Sequence, residues 1–389
     1  MRMRKATAAL VGLLLAGVAA TPAHADTIRS QQWHLDAMKA DEIWKTTTGK
    51  GITVAVIDTG VDRIPELEGQ VLPGAVFPTG DAPGDKNNDY DGHGTGISAM
   101  IAATGKHPSG DGAYGLAPGV KILPIRVPDV MDGAKAPSKV AAIRYAADSD
   151  AKIINISQAI GGKPEDDRDR ADAVKYALSK GKLIFAGVGN YGDSTNEVLY
   201  PAATPGVVGI GAVDSKGVPT KESQHGPQVD LVAPGLDVIT ACKGKTGVCK
   251  THGTSDATAL ASASAALLWS VHPEWTNNQV LRVLLNTAGK PSEGFQRNDY
   301  VGYGAVRPRV ALQTPGDPGP ADVYPLPDLA ASQAGAKSPS AAASAAPSPA
   351  PQAAEEAKGG SSLLWVGLGL GACVLIGGAV TAVVVRRNR

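Results

Sequence analysis

Short, almost uninterrupted apolar runs recur through the first two thirds of this chain, at 52–57, 121–127, 153–156, 183–188, 207–212 and 229–232. A strand with one wet face alternates apolar and polar residues. A strand covered on both faces does not, and these runs are of the second kind. Helix-compatible stretches fall between or after them, at 93–103, 138–147, 168–179, 255–271 and 276–287. This alternation predicts an α/β fold: a doubly wound, mostly parallel sheet with helices on both faces. Aromatic residues make up only 4% of the chain, so the core is expected to consist of small aliphatic side chains.

The ends of the 389-residue chain do not belong to that pattern. Arg2, Arg4 and Lys5 precede an apolar run, and Ala23-His24-Ala25 has the small-x-small form of a signal-peptidase site. Residues 1–25 are therefore expected to be a signal peptide. Residues 363–385 carry no charge; as a helix they would span roughly 35 Å, enough for a bilayer. The basic tail 386–389 should remain in the cytoplasm. Residues 314–362, rich in Pro, Ala and Ser, are expected to be an unfolded linker. The folded body, 26–313, would then lie outside the cell membrane, held by a single span.

Lys+Arg and Asp+Glu both number 37, so no basic excess points to a nucleic-acid partner, and none is expected. No cofactor or metal is expected. Cys242 and Cys249 bracket six residues in a chain expected to be exported, which predicts a disulfide across a short turn. The loop-entropy contribution of such a bridge is about 2.5 kcal/mol.

Three distant segments carry the chemistry. Asp58 ends the run Val54-Ala55-Val56-Ile57, where open α/β sheets gather their ligands. His93 lies in Gly92-His93-Gly94, whose glycines permit close backbone approach. Ser255 opens a long stretch of small residues, so it would sit at a helix N-terminus with free N–H groups nearby. A serine hydroxyl becomes a nucleophile when a histidine takes its proton and a carboxylate holds that histidine. Asp, His, Ser is one of the chain orders that such triads use. Each residue alone also has a structural explanation: turn, helix start and N-cap. His252, three residues before Ser255, is a rival base, expected to make packing or loop contacts instead. Asp62 is read as a turn or cap residue, and His34, His107, His225 and His272 as loop or surface residues.

Together these segments resemble the signature segments of the subtilisin-like serine proteases. Gly115-Leu116-Ala117-Pro118-Gly119, Val188-Gly189-Asn190, Tyr200-Pro201-Ala202 and Val232-Ala233-Pro234-Gly235 follow in the family's order. The resemblance implies a serine endopeptidase acting on protein or peptide substrates. Asp58, His93 and Ser255 would be its triad and Asn190 its oxyanion donor, while Ser157, Gly187 and Gly189 would line the substrate cleft. The arrangement of signal peptide, peptidase, linker, span and basic tail is similar to that of the mycosins, membrane-anchored proteases of type VII secretion. That likeness implies a secretion membrane complex as partner. Only about 32 residues separate position 26 from Asp58, room for an N-terminal extension but not for a separately folded inhibitory propeptide. The alternative reading is a structural subunit of the secretion complex with weak activity.

Several positions depart from the family. Ala259 replaces a proline after the serine, and Asp256 follows the nucleophile directly, where its charge is expected to raise the pKa of His93. Gly96 and Ser98-Ala99 differ from the usual histidine segment. Ser157-Gln158-Ala159-Ile160 replaces the usual Ser-Leu-Gly-Gly cleft wall, so the family's primary specificity does not transfer.

Overall fold

The computed structural model describes residues 26–77, 88–128, 136–162, 168–243, 247–291 and 296–337. The expected signal peptide and membrane span lie outside these residues. Among the described residues no helix is long and apolar enough to cross a membrane.

In chain order the elements begin with three short helices, α1 (Ile28–Gln31), α2 (Trp33–Ala37) and α3 (Ala40–Ile43). Then come β1 (Thr53–Asp58), β2 (Ala75–Val76), α4 (His93–Ala102), β3 (Lys121–Arg126), α5 (Ala136–Asp148), β4 (Ile153–Ile156), β5 (Ile160–Gly161) and α6 (Arg168–Ser179). The second half holds β6 (Leu183–Gly187), β7 (Leu199–Tyr200), β8 (Val208–Val213), β9 (Leu231–Pro234), β10 (Val238–Ala241) and β11 (Val248–Thr251). It ends with α7 (Thr254–Val271), α8 (Asn277–Thr287), α9 (Pro308–Gln313) and α10 (Pro327–Lys337).

Among the described residues seven strands form one sheet in the order β2-β3-β1-β4-β6-β8-β9. Every neighbouring pair in it is parallel, with Val54 opposite both Ile122 and Ile153. The predicted doubly wound sheet is present, and each expected apolar run supplies one of its strands. The period of two along a strand divides the core. Val54, Val56, Ile122, Ile153, Phe185 and Ile210 meet Ile97 and Met100 of α4 and Leu260 and Leu267 of α7. Ala55, Ile57, Ile125, Ile154 and Ile184 face Ile143 of α5 and Val174 of α6 instead. Truncating a side chain such as Phe185 to Ala would cost about 3–5 kcal/mol.

Helix α7 runs through the first of these cores and is almost wholly buried. Its alanines let the backbone lie close to the sheet. Its buried hydroxyls are satisfied: Thr258 and Ser264 donate within the helix to the carbonyls of Thr254 and Leu260, each at 2.7 Å, and Ser262 donates across to Asn155 Oδ1 on β4 at 2.9 Å.

Two parts of the body differ from expectation. The chain does not leave the fold at Thr314. Arg282 on α8 donates to the carbonyls of Pro318 at 2.7 Å and Pro320 at 2.9 Å, and also to that of Val323. Leu326 is buried, and the Asp328 carboxylate accepts from Gly206 N at 2.7 Å. The boundary between body and linker therefore lies beyond residue 328. Composition pointed the other way because a Pro/Gly segment makes no hydrogen bonds of its own, but that leaves its carbonyls free to accept from α8.

The N-terminal extension is also docked. The Gln32 amide donates to the carbonyls of Tyr114 at 2.8 Å and Ile239 at 3.0 Å and accepts from Tyr114 N at 3.0 Å. Trp44 Nε1 donates to Leu116 O at 2.9 Å. His34, expected at the surface, is fully buried, and burial pushes its pKa down to about 3.

Candidate active site

The C-terminal end of β1 presents Asp58, and the first residue of α4 is His93. Gly94 brings them together: a Cβ there would lie 2.2 Å from the Gly60 carbonyl oxygen and 3.1 Å from Asp58 Cβ. With glycine the helix start touches the strand end, and His93 Nδ1 meets Asp58 Oδ1 at 2.7 Å. The same carboxylate oxygen accepts from Thr59 N at 2.8 Å.

A residue that sequence reasoning missed fixes this junction. Asp89 is fully buried. Its Oδ1 accepts from Thr59 Oγ1 at 2.7 Å and Gly92 N at 2.8 Å, and its Oδ2 from Thr95 N at 2.7 Å and Thr95 Oγ1 at 2.6 Å. It thereby satisfies donors at the α4 N-terminus. The available signal was an acidic residue a few positions before a helix start, a pattern too common to stand out. Asp62, read as a turn residue, accepts from Asp89 N at 3.1 Å and pairs with Lys243 at 2.9 Å. Lys243 belongs to the β10–β11 hairpin, which the sequence did not reveal. The Cys242–Cys249 disulfide closes that hairpin, with a Cα–Cα distance of 5.8 Å.

Ser255 lies in the first turn of α7. Its hydroxyl donates to the Ser157 carbonyl at 3.0 Å, and Ser157 Oγ donates to the Ser255 carbonyl at 3.3 Å. Thr254 N and Oγ1 both donate to Asn190 Oδ1, at 2.9 and 3.0 Å. With its oxygen held in this way, Asn190 keeps its amide nitrogen as the donor. His93, Ser157, Gly187, Gly189, Asn190 and Ser255 line one cleft of about 270 Å³. The predicted site residues therefore converge, with Asp58 behind His93. His252 does not line this cleft; it pairs with Glu222 at 2.9 Å, and that hydrogen bond raises its pKa.

The electrostatics favour a cationic imidazole. Partial burial pushes His93 down, but the charge and hydrogen bond of Asp58, with Asp256 and Asp91, outweigh it and lift its pKa to about 9. Asp256 is buried, and burial pushes its own pKa up to about 6 against the opposing effects of Thr251, His93 and His252. The expected influence of Asp256 on His93 is thus present in the structure. None of the polar partners of the N-terminal extension named above lines the cleft.

Comparison with known proteins agrees with this geometry. The Subtilase family profile matches residues 49–304. Mycosin-1 of Mycolicibacterium smegmatis is 30% identical over 331 residues, covering 72% of each chain. Subtilisin E of Bacillus subtilis is 34% identical over 271 residues, 68% of this chain and 67% of that protein. The crystal structure of MycP1 from Mycobacterium smegmatis superposes with a TM-score of 0.66 at 30% identity, covering 78% of this chain and 89% of that one. A chain in the structure of an intact ESX-5 inner membrane complex matches with a TM-score of 0.66 at 27% identity, over 84% of each chain. The chain belongs to the subtilase family and is a subtilisin-like serine endopeptidase related to the mycosins.

Proposed function

We propose that Asp58, His93 and Ser255 form the catalytic triad of a peptidase held at the outer face of the cell membrane and associated with a type VII secretion complex. The observation that carries the chemistry is the 2.7 Å contact of His93 Nδ1 with Asp58 in the cleft that also holds Ser255 and Asn190. Substrate binding draws the Ser255 hydroxyl from the Ser157 carbonyl towards His93 Nε2. His93 accepts the proton as Oγ attacks the scissile carbonyl, and Asp58 stabilises the imidazolium. The Asn190 amide and the Ser255 N–H receive the developing oxyanion. His93 then protonates the leaving amine, and water releases the acyl group by the same relay.

The secretion role is supported by the likeness to a chain of the ESX-5 inner membrane complex and the anchorage by the apolar stretch 363–385. A fluorophosphonate probe tests the chemistry: it should label the wild type and not Ser255→Ala, and failure to label correctly folded wild type would overturn it. Comparing export in wild-type, Ser255→Ala and deletion strains tests the secretion role. Equal export in all three would remove it.

A further inference from the structure

Two glutamines beside the cleft have amide atoms that the fold leaves without partners. Gln158, just past β4 and 5% exposed, lines the cleft, and both its Nε2 and its Oε1 lack a hydrogen-bond partner. Gln224 is fully buried. Its Nε2 donates to the Glu197 carbonyl, while its Oε1 has no partner. That oxygen lies 1.6 Å from the point a Cβ would take on Gly189, a cleft-lining residue, so glycine alone permits its approach.

A buried amide without partners is unfavourable, and the great majority of such groups in folded proteins are paired. Gln158 supplies an amide NH₂ donor and a carbonyl acceptor, whereas Gln224, fully buried behind Gly189, does not line the cleft. The charged residues lining the cleft are Asp91 and His93, so the Gln158 amide adds hydrogen-bonding capacity without charge. A primary carboxamide matches Gln158: its NH₂ donates to Gln158 Oε1 and its carbonyl accepts from Gln158 Nε2. An aliphatic side chain would leave both Gln158 atoms unpaired, and an ammonium or carboxylate could satisfy only one kind.

We propose that Gln158 is a specificity-determining residue and that it selects peptides bearing asparagine or glutamine at the position whose side chain enters the cleft. This rests on the peptidase reading above. Selection by such a site arises because the wrong substrate strands buried polar groups.

The test is a set of peptidyl phosphonates that differ in one residue, Gln, Asn, Leu, Glu or Lys, placed in turn at each position before the warhead. Inactivation rates are measured on the wild type and on Gln158→Leu, with a simple fluorophosphonate as the control for the nucleophile. At one position the wild type should react with Gln or Asn about 10- to 100-fold faster than with Leu. Gln158→Leu should lose that preference when each rate is normalised to the variant's own fluorophosphonate rate, with an unchanged or higher melting temperature. Should Gln158→Leu fail to fold, the wild-type series still decides. Fluorophosphonate labelling without any preference for carboxamides, or a preference that survives in a folded Gln158→Leu, overturns the proposal and leaves the peptidase reading standing. Absence of fluorophosphonate labelling overturns both.

Discussion

On one side of the cleft Asp58 holds His93, Asp89 satisfies five donors around the start of α4, and Thr254 engages the Asn190 oxygen twice. On the other, Gln158 lines the cleft with an amide whose nitrogen and oxygen nothing in the chain satisfies. Apart from Asp58 Oδ2, which has no partner, the first region satisfies itself without a ligand, and its geometry is set by the fold. The second is incomplete and would be completed by whatever binds. Chemistry common to a family can be built from groups that satisfy one another. Selection among substrates needs groups that wait for a partner.

Substitutions can break this contrast. The largest effect belongs to Ser255→Ala, which should lower kcat by about 10⁶-fold in peptide hydrolysis while leaving the melting temperature nearly unchanged. Asn190→Ala should reduce kcat by about 10²–10³-fold with little change in KM, because its amide acts on the oxyanion rather than on the bound peptide. An effect mainly on KM would place Asn190 in binding instead.

Asp89→Ala should destabilise the fold by about 2–4 kcal/mol in urea unfolding, since it strands buried donors at the α4 N-terminus. It should also lower kcat through misplacement of His93, with partial rescue by Asp89→Asn. If stability falls and kcat does not, Asp89 does not position the base. Paired Cys242→Ser and Cys249→Ser changes should cost about 2–3 kcal/mol and leave kcat largely intact.

The smallest effect concerns pH. His93 must be neutral to accept a proton, and its pKa is raised to about 9. In the free enzyme kcat/KM should therefore climb with pH and level off only above that value. Asp256 contributes negative charge to this shift, so Asp256→Asn should move the rising limb to lower pH. A limb that stays in place would show that Asp58 and Asp91 set the value alone.

How much of this was legible in the residues varies along the chain. The parallel sheet was readable because strands covered on both faces must be apolar throughout, as 153–156 and 183–188 are. The convergence of Asp58, His93 and Ser255 was readable through glycines and small residues whose presence has few other causes. Asp89 was not, because a buried acid and a surface cap look alike in one dimension; only its six-residue distance from Thr95 across a helix start, closed at 2.6–2.7 Å, separates them. The β10–β11 hairpin was missed because its strands are four residues each and bracket a lysine- and glycine-rich turn.

What the sequence determined by itself is therefore periodic or local: the strand and helix alternation, the three chemical segments, the cysteine spacing. Tertiary structure alone decided what depends on partners far along the chain. It placed Pro318, Pro320 and Val323 under Arg282 although their composition reads as an unfolded tether. It buried His34 within the docked N-terminal extension, and it left Gln158 without a partner in the cleft. The physical reason is the same each time. Whether a polar group is satisfied is a property of the space around it, and residues as far apart as Gln32 and Ile239 supply that space.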